Sequence, residues 1–213
     1  VEEFASRYFR KLGFETFFLE SVPFHVLFGV FMWLVIQDPA DPQVRIFSFG
    51  DRHAFDNDTK GEVVSTHLPD DFGTVGYAKR RAETLDAHFS EAMHEPGELQ
   101  WLFDYWLGPS EGLRQYLWAH REKDIRTARR LIDVLPAAAI NKILRYLVGH
   151  YWGRYVGWPD LLVYGGNEFF FAEVKSSGDK LSEKQKHWIR DNHEGLNFPF
   201  KLVKVHKTAT AAI

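Results

Sequence analysis

The chain has 213 residues, and its 26 Lys and Arg against 29 Asp and Glu leave a net charge of −3, so no global basic signature announces a nucleic-acid partner. It has no cysteine, which excludes disulfides and thiolate metal sites and suits a reducing compartment. A hydrophobic content of 45%, with seven Trp and nineteen Phe, supplies the core of one large domain. In chain order, Phe4, Tyr8, Phe9 and Leu12 recur at helical spacing over residues 1–12, and Gly13 stops the helix. Residues 14–19 are aromatic and apolar, closed by Glu20. Val22–Ile36 is the most apolar run, and Pro23 suits a first helical turn. At fifteen residues, with His25 inside, it is shorter than the roughly 20 residues a bilayer span needs, so it reads as a buried helix.

Residues 38–74 are the least regular, with turn chemistry at Asp38-Pro39-Ala40-Asp41-Pro42 and strand-like pieces at 44–49 and 62–66. Helices are expected over 77–93, with Arg80 and Arg81 exposed, then over 97–107, 112–121, 124–135 and, after Pro136, 137–152. Two apolar runs flanking Gly165-Gly166-Asn167 predict a β-hairpin. Ser182 opens a helix over 182–192, residues 200–206 alternate as a last strand, and 208–213 form a frayed tail. The layout is α/β or α+β: a largely helical first two-thirds, then a small mixed sheet flanked by helices. One domain is expected. Residues 1–37 form a helical part, 38–135 a variable, mostly helical insertion, and 136–207 the core.

If Gly166 and Asn167 are the hairpin loop, Asp160 stands opposite Glu173, and Glu173 and Lys175 share a face. Two carboxylates and an ammonium on one patch are a minimal set for holding a divalent metal and activating water beside a phosphate. Glu173 follows Phe169-Phe170-Phe171-Ala172, a strand end where unpaired charge is costly. Ser182-x-x-Gln185 reads as a capping box, with Asp179 as the other candidate cap.

An acid, a hairpin and Glu-x-Lys form the Pro-Asp…(Asp/Glu)-x-Lys pattern of restriction-endonuclease-like nucleases. Gly157-x-Pro159-Asp160-Leu161-Leu162-Val163, then Phe171-x-Glu173-Val174-Lys175-Ser176-x-Gly178-Asp179-x-Leu181-Ser182-x-x-Gln185, resembles the VRR-NUC (virus-type replication-repair nuclease) domain. Val203-Lys204-Val205-His206 is similar to its closing strand. Glu2-Glu3 to Tyr8, Gly13-Phe14, Glu20, Leu27-Phe28-Gly29 and Trp33 resemble the nuclease module of Fanconi-associated nucleases. The resemblance is strong over 150–206, fair over 1–37 and poor over 40–135. It implies that Asp160, Glu173, the Val174 carbonyl and Glu20 hold Mg²⁺ or Mn²⁺, that Lys175 is catalytic, and that Gln185 lies beside the active site. The family glutamate commonly sits in Gly-Glu-Gly; here it is Leu19-Glu20-Ser21. Cleavage leaving a 5′-phosphate and a 3′-hydroxyl is implied as well, on flapped or branched DNA near a 5′ end.

Lys180, Lys184, Lys186 and Arg190, with Lys201, Lys204 and Lys207, flank that site and suit a DNA backbone. A second cluster, Arg121, Lys123, Arg126, Arg129, Arg130, Lys142 and Arg145, reads equally as a solvated helix face. Trp152, Tyr155 and Trp158 are core by default, with base stacking as the other reading. His94-Glu95 lacks the second His of a zinc-protease motif, and no Gly-x-Ser-x-Gly elbow, Walker loop or dinucleotide fingerprint occurs. The expectation is a monomeric deoxyribonuclease in DNA repair that meets branched, flapped or single-stranded DNA ends and no membrane. It would be cytoplasmic at a bacterial nucleoid, or nuclear in a eukaryote, and not secreted. No leader is apparent, and Val1 reads as an internal or trimmed start. The other readings are a homodimeric enzyme like a Holliday-junction resolvase and a non-catalytic DNA-binding module on the same fold.

Overall fold

The computed structural model describes residues 1–49, 63–91, 98–111, 116–118, 120–166 and 168–206. In chain order the elements are α1 (Glu2–Lys11), β1 (Glu15–Phe18), α2 (Val22–Ile36), β2 (Arg45–Phe49), β3 (Val63–His67), α3 (Val75–Arg80), α4 (Ala82–Glu91), α5 (Leu99–Glu111), a 3₁₀ turn (Tyr116–Trp118) and α6 (Glu122–Val134). They continue with α7 (Ala137–Gly149), α8 (Tyr151–Arg154), β4 (Leu161–Gly165), β5 (Glu168–Ser176), α9 (Glu183–Asp191) and β6 (Phe200–Val205). They fall into two units, Val1–Ser21 with Val156–Ile213, and Val22–Tyr155.

The first unit holds the four-stranded mixed sheet β1-β4-β5-β6, antiparallel except between β5 and β6. The aromatic stretch before Glu20 is its edge strand β1, which pairs with β4 from Glu15↔Tyr164 to Phe18↔Leu161. Strand alternation divides the side chains of β4 and β5 between two layers. On one face Leu161, Val163, Phe170, Ala172 and Val174 pack with Ala5 and Phe9 of α1. On the other, Phe171 meets Trp158, Trp188 of α9 and Phe198. Burying one such ring contributes about 1.5–3 kcal/mol. The α1 stripe differs from its sequence pattern. The helix turns small Ala5 and Phe9 to the sheet, so Phe4, Tyr8 and Leu12 stay 64%, 54% and 56% exposed.

Two devices place α9. Gly157 has φ +88, and a Cβ there would lie 2.6 Å from the Lys184 carbonyl oxygen, so only glycine allows the first turn of α9 this close. At its far end Asn192 Nδ2 donates to the Phe198 carbonyl at 3.0 Å, and Phe198 N donates to Asn192 Oδ1 at 2.9 Å. These bonds tie the turn after α9 to the entry of β6.

The second unit surrounds α2, in which Phe24, Leu27, Phe28 and Phe31 are fully buried, as its continuous apolarity predicts. Phe31 packs edge-on against Phe103 and Trp106 of α5. β2 and β3 form a separate antiparallel pair. The helix expected over 77–93 breaks at Arg81 into α3 and α4, and Met93 lies outside the described residues. Arg81 is buried, not exposed, because it is drawn to carboxylates. Its NH2 is 2.5 Å from Asp38 Oδ2 and its Nε 3.6 Å from Asp41 Oδ2. The helix expected over 137–152 ends at Gly149, because His150 (φ −166, ψ 73) leaves the helical region before α8. Of the 112–121 helix, Tyr116–Trp118 is a 3₁₀ turn, while 112–115 and 119 lie outside the described residues, as do His94, Glu95, Asn167, Lys207 and the tail.

Candidate active site

The hairpin sets the site. Gly165 pairs with Glu168, so the loop is two residues long, and Gly166 takes the positive φ of 61° that such tight turns require. The ladder runs back to Leu161↔Ala172, and one step further Asp160 stands opposite Glu173, the register expected from the sequence. Asp160 Oδ2 accepts a 2.7 Å hydrogen bond from Val174 N. A strand residue directs its N–H and C=O to the same neighbouring strand. The Val174 carbonyl therefore also points to the Asp160 side, past the start of β4.

Alternation puts Glu173 and Lys175 on the α9 face, with Trp188 packed beneath on Phe171. Glu173 is 1% exposed. Its Oε1 lies 2.6 Å from Lys175 Nζ and also accepts from Gln185 Nε2. Burial pushes the Glu173 carboxyl up to about 7; Lys175 works against that, and the charge of Asp160 with a hydrogen bond between the two carboxyl groups adds to it. Partial burial pulls the Lys175 ammonium down, but the hydrogen bond to Glu173 and the charges of Glu173, Asp160 and Asp179 outweigh it and leave its pKa raised. Here are two adjoining carboxyl groups, an ammonium held protonated and an amide donor.

Gln185 has both of the roles its motif allows. Ser182 is the N-cap of α9, with Ser182 Oγ accepting from Gln185 N at 3.2 Å and Gln185 Oε1 accepting from Ser182 N at 2.9 Å. The other end of the same amide reaches Glu173. Asp179 is not the cap: its Oδ2 accepts from Ser176 N at 3.1 Å and closes the turn after β5.

Glu20 follows Leu19, whose N–H donates to the Asp160 carbonyl at 2.9 Å. Glu20 is exposed, with φ 53, a left-handed conformation costing on the order of 1 kcal/mol in a residue with a Cβ. Among the described residues no three His, Asp or Glu side chains gather closely enough to hold an ion. The structure thus joins Asp160, Glu173, Lys175 and Gln185, and leaves Glu20 beside them in the chain path without such a trio.

Lys180, Lys184, Lys186 and Arg190 are all exposed. Lys186 pairs with Glu183 at 2.7 Å and Arg190 bonds His187 Nδ1 at 2.7 Å. The β5–β6 register separates two lysines that the sequence grouped together. Lys204 pairs with Lys175, so it occupies the site face, whereas Lys201 sits on the other face with Nζ 4.0 Å from the Phe170 ring centroid. Only the parallel register reveals this. Trp158 is core; in the second unit Trp152 Nε1 donates to the Phe72 carbonyl at 2.9 Å and Tyr155 stacks on Tyr151.

A family model described as VRR-NUC domain matches residues 95–207, more than half of the chain. The chain belongs to the VRR-NUC family. Fanconi-associated nuclease 1 of Homo sapiens is 24% identical to it over 196 residues, 90% of this chain and 18% of that protein. The Ailuropoda melanoleuca protein of that name is 25% identical, over 89% of this chain and 17% of its own. The Caenorhabditis elegans homolog is 28% identical, over 89% and 21%. The chain thus spans about a fifth of the length of the curated relatives it matches. Among solved structures, paFAN1 bound to 2nt 5′flap DNA with gap has a TM-score of 0.66 at 20% identity, covering 98% of this chain and 35% of that one. The same protein bound to 1nt 5′flap DNA with gap gives 0.67. These likenesses show that the VRR-NUC chain has the fold of that nuclease. No helix among the described residues is long and apolar enough to cross a membrane.

Proposed function

We propose that this chain is a Mg²⁺- or Mn²⁺-dependent deoxyribonuclease that hydrolyses phosphodiester bonds of flapped or branched DNA on its 5′ side, as a monomer in DNA repair. The observation that carries the reading is the meeting of Asp160, Glu173, Lys175 and Gln185 across one hairpin and one helix start in a VRR-NUC chain. The fold shared with paFAN1, solved with 5′ flap DNA, favours a flap substrate.

The residues fit a hard cation. Glu173 is a buried carboxyl beside a second one, and its desolvation is only partly offset by its donors. Asp160, Glu173 and the Val174 carbonyl offer oxygen only, with Glu20 as a further oxygen. One or two carboxylates with the remaining positions left to water and phosphate are the usual Mg²⁺ arrangement. When bound, such an ion lowers the pKa of a water and neutralises charge on the phosphoryl oxygens. Lys175 orients the attacking water and offsets charge on the phosphate. Gln185 holds the Glu173 carboxylate. Water attacks phosphorus and the bond to the 3′ oxygen breaks, giving a 5′-phosphate and a 3′-hydroxyl, as the family resemblance implies. Exposed Lys180, Lys184, Lys186 and Arg190 track the phosphates.

The test is a panel of labelled flap, nicked, single-stranded and four-way DNA with Mg²⁺ or Mn²⁺. Flap cleavage is expected from the wild type. Glu173→Ala and Lys175→Ala should lose about 10²–10³-fold or more in rate with DNA affinity little changed. A wild type that cuts nothing at any metal concentration sinks the enzyme reading, and unchanged variants move the active site elsewhere.

A further inference from the structure

Glu173 Oε1 accepts two hydrogen bonds, from Lys175 Nζ at 2.6 Å and from Gln185 Nε2. Two donors on one oxygen leave Oε2 as the oxygen offered beside Asp160. The contact with Gln185 is attractive only if the amide presents its NH₂. Turned over, it would set a carbonyl oxygen against a carboxylate oxygen.

Ser182 decides which end faces Glu173. Its backbone N–H can only donate, and it takes Gln185 Oε1 at 2.9 Å. Its hydroxyl accepts from Gln185 N at 3.2 Å and keeps the Gln185 amide oxygen within reach of the Ser182 N–H, so Ser182→Ala, which retains the N–H, loosens the lock by removing this hold. Turning the amide over would set NH₂ against N–H at Ser182 and oxygen against oxygen at Glu173. A helix cap and a carboxylate clamp therefore share one side chain.

We propose that Ser182 is a positioning residue of the metal site: its capping box locks the Gln185 carboxamide with Nε2 toward Glu173 Oε1, leaving Glu173 Oε2 with Asp160 for a divalent cation. This rests on the proposed metal-dependent nuclease, and it assigns a task in that site to a residue that otherwise only starts a helix. A cap that merely stabilises α9 would alter the unfolding midpoint and leave metal affinity alone.

The experiment measures Mn²⁺ affinity by calorimetry on the full chain, without DNA, together with the unfolding midpoint and flap cleavage. Ser182→Ala is expected to weaken Mn²⁺ binding about tenfold, the lower end of what lost outer-shell partners cost a metal site, and Ser182→Thr, which keeps the box, to restore it. In a Gln185→Leu background, itself weakened about as much, Ser182→Ala should weaken Mn²⁺ no further, because the residue acts through that amide. Equal loss of affinity from Ser182→Ala in both backgrounds, or no loss in either, overturns the proposal while a metal-binding, flap-cutting wild type upholds the nuclease. A wild type that neither binds Mn²⁺ nor cuts any DNA overturns both.

Discussion

The two units handle charge in opposite ways. In the unit of residues 22–155 the guanidinium groups are matched to carboxylates: Arg80 to Asp41 and Asp71, Arg81 to Asp38, Arg129 to Asp104, Arg145 to Asp86 and Arg126 to Glu122. In the unit that carries the candidate site, two carboxyl groups adjoin, and among the described residues Lys180, Lys184 and Lys204 make no ion pair. Matched charge holds a fold together. Charge left open on one face remains available to a cation and to phosphate. The basic cluster at 121–145 was an even choice between DNA contact and solvated surface in the sequence, and its pairing favours the structural reading.

Four measurements break or sharpen that contrast. The largest effect is loss of cleavage in Glu173→Ala and Lys175→Ala, which carries no matching loss of DNA affinity. In the paired unit, Arg81→Ala removes the close partner of Asp38 and the second of two guanidinium groups beside Asp41, whose side chain is fully buried and keeps Arg80 at 2.8 Å, and should cost about 1–3 kcal/mol in urea unfolding; a change under about 0.5 kcal/mol, the size of an ordinary surface substitution, would show the network to be incidental.

His120 supplies a pH test of the same unit. Burial pushes its imidazole down to about 4, the charge of His25 lowers it further and Asp124 opposes. The folded form therefore stays neutral while the unfolded chain takes up a proton near pH 6.5. Stability is full above that pH and lost as pH falls toward 4, by at most about 3 kcal/mol. His120→Gln should flatten that slope, and an unchanged slope would place the titration in another group.

The smallest effects concern DNA binding. Lys180→Ala, Lys184→Ala and Lys204→Ala should each weaken flap-DNA binding a few-fold and lower its salt slope by about 1. Arg129→Ala and Arg145→Ala should leave the slope unchanged. A slope that moves with the arginines instead would make the paired unit the DNA-binding surface.

Much of the site was legible because its geometry is local. A two-residue loop fixes the hairpin register, and strand alternation fixes the shared face of Glu173 and Lys175. The capping box was legible for the same reason, since its groups lie three residues apart. Several features were not. Arg81 reads as a surface arginine until Asp38 and Asp41 meet it. The apolar stripe of α1 gives no sign that Ala5, not Phe4, faces the sheet. Residues 14–19 lacked the alternation that marks a strand, and pairing with β4 made one of Glu15–Phe18 within them.

By itself the sequence determined the hairpin, the buried α2 and a carboxylate pair with a lysine, because short-range backbone geometry and apolar periodicity act within about a dozen residues. Only the tertiary structure decided that the amide of Gln185 reaches Glu173, that Lys204 rather than Lys201 lies beside Lys175, and that the arginines at 121–145 are largely paired. Each of these depends on which distant segment packs alongside, and that is settled within each unit by burial of its own core.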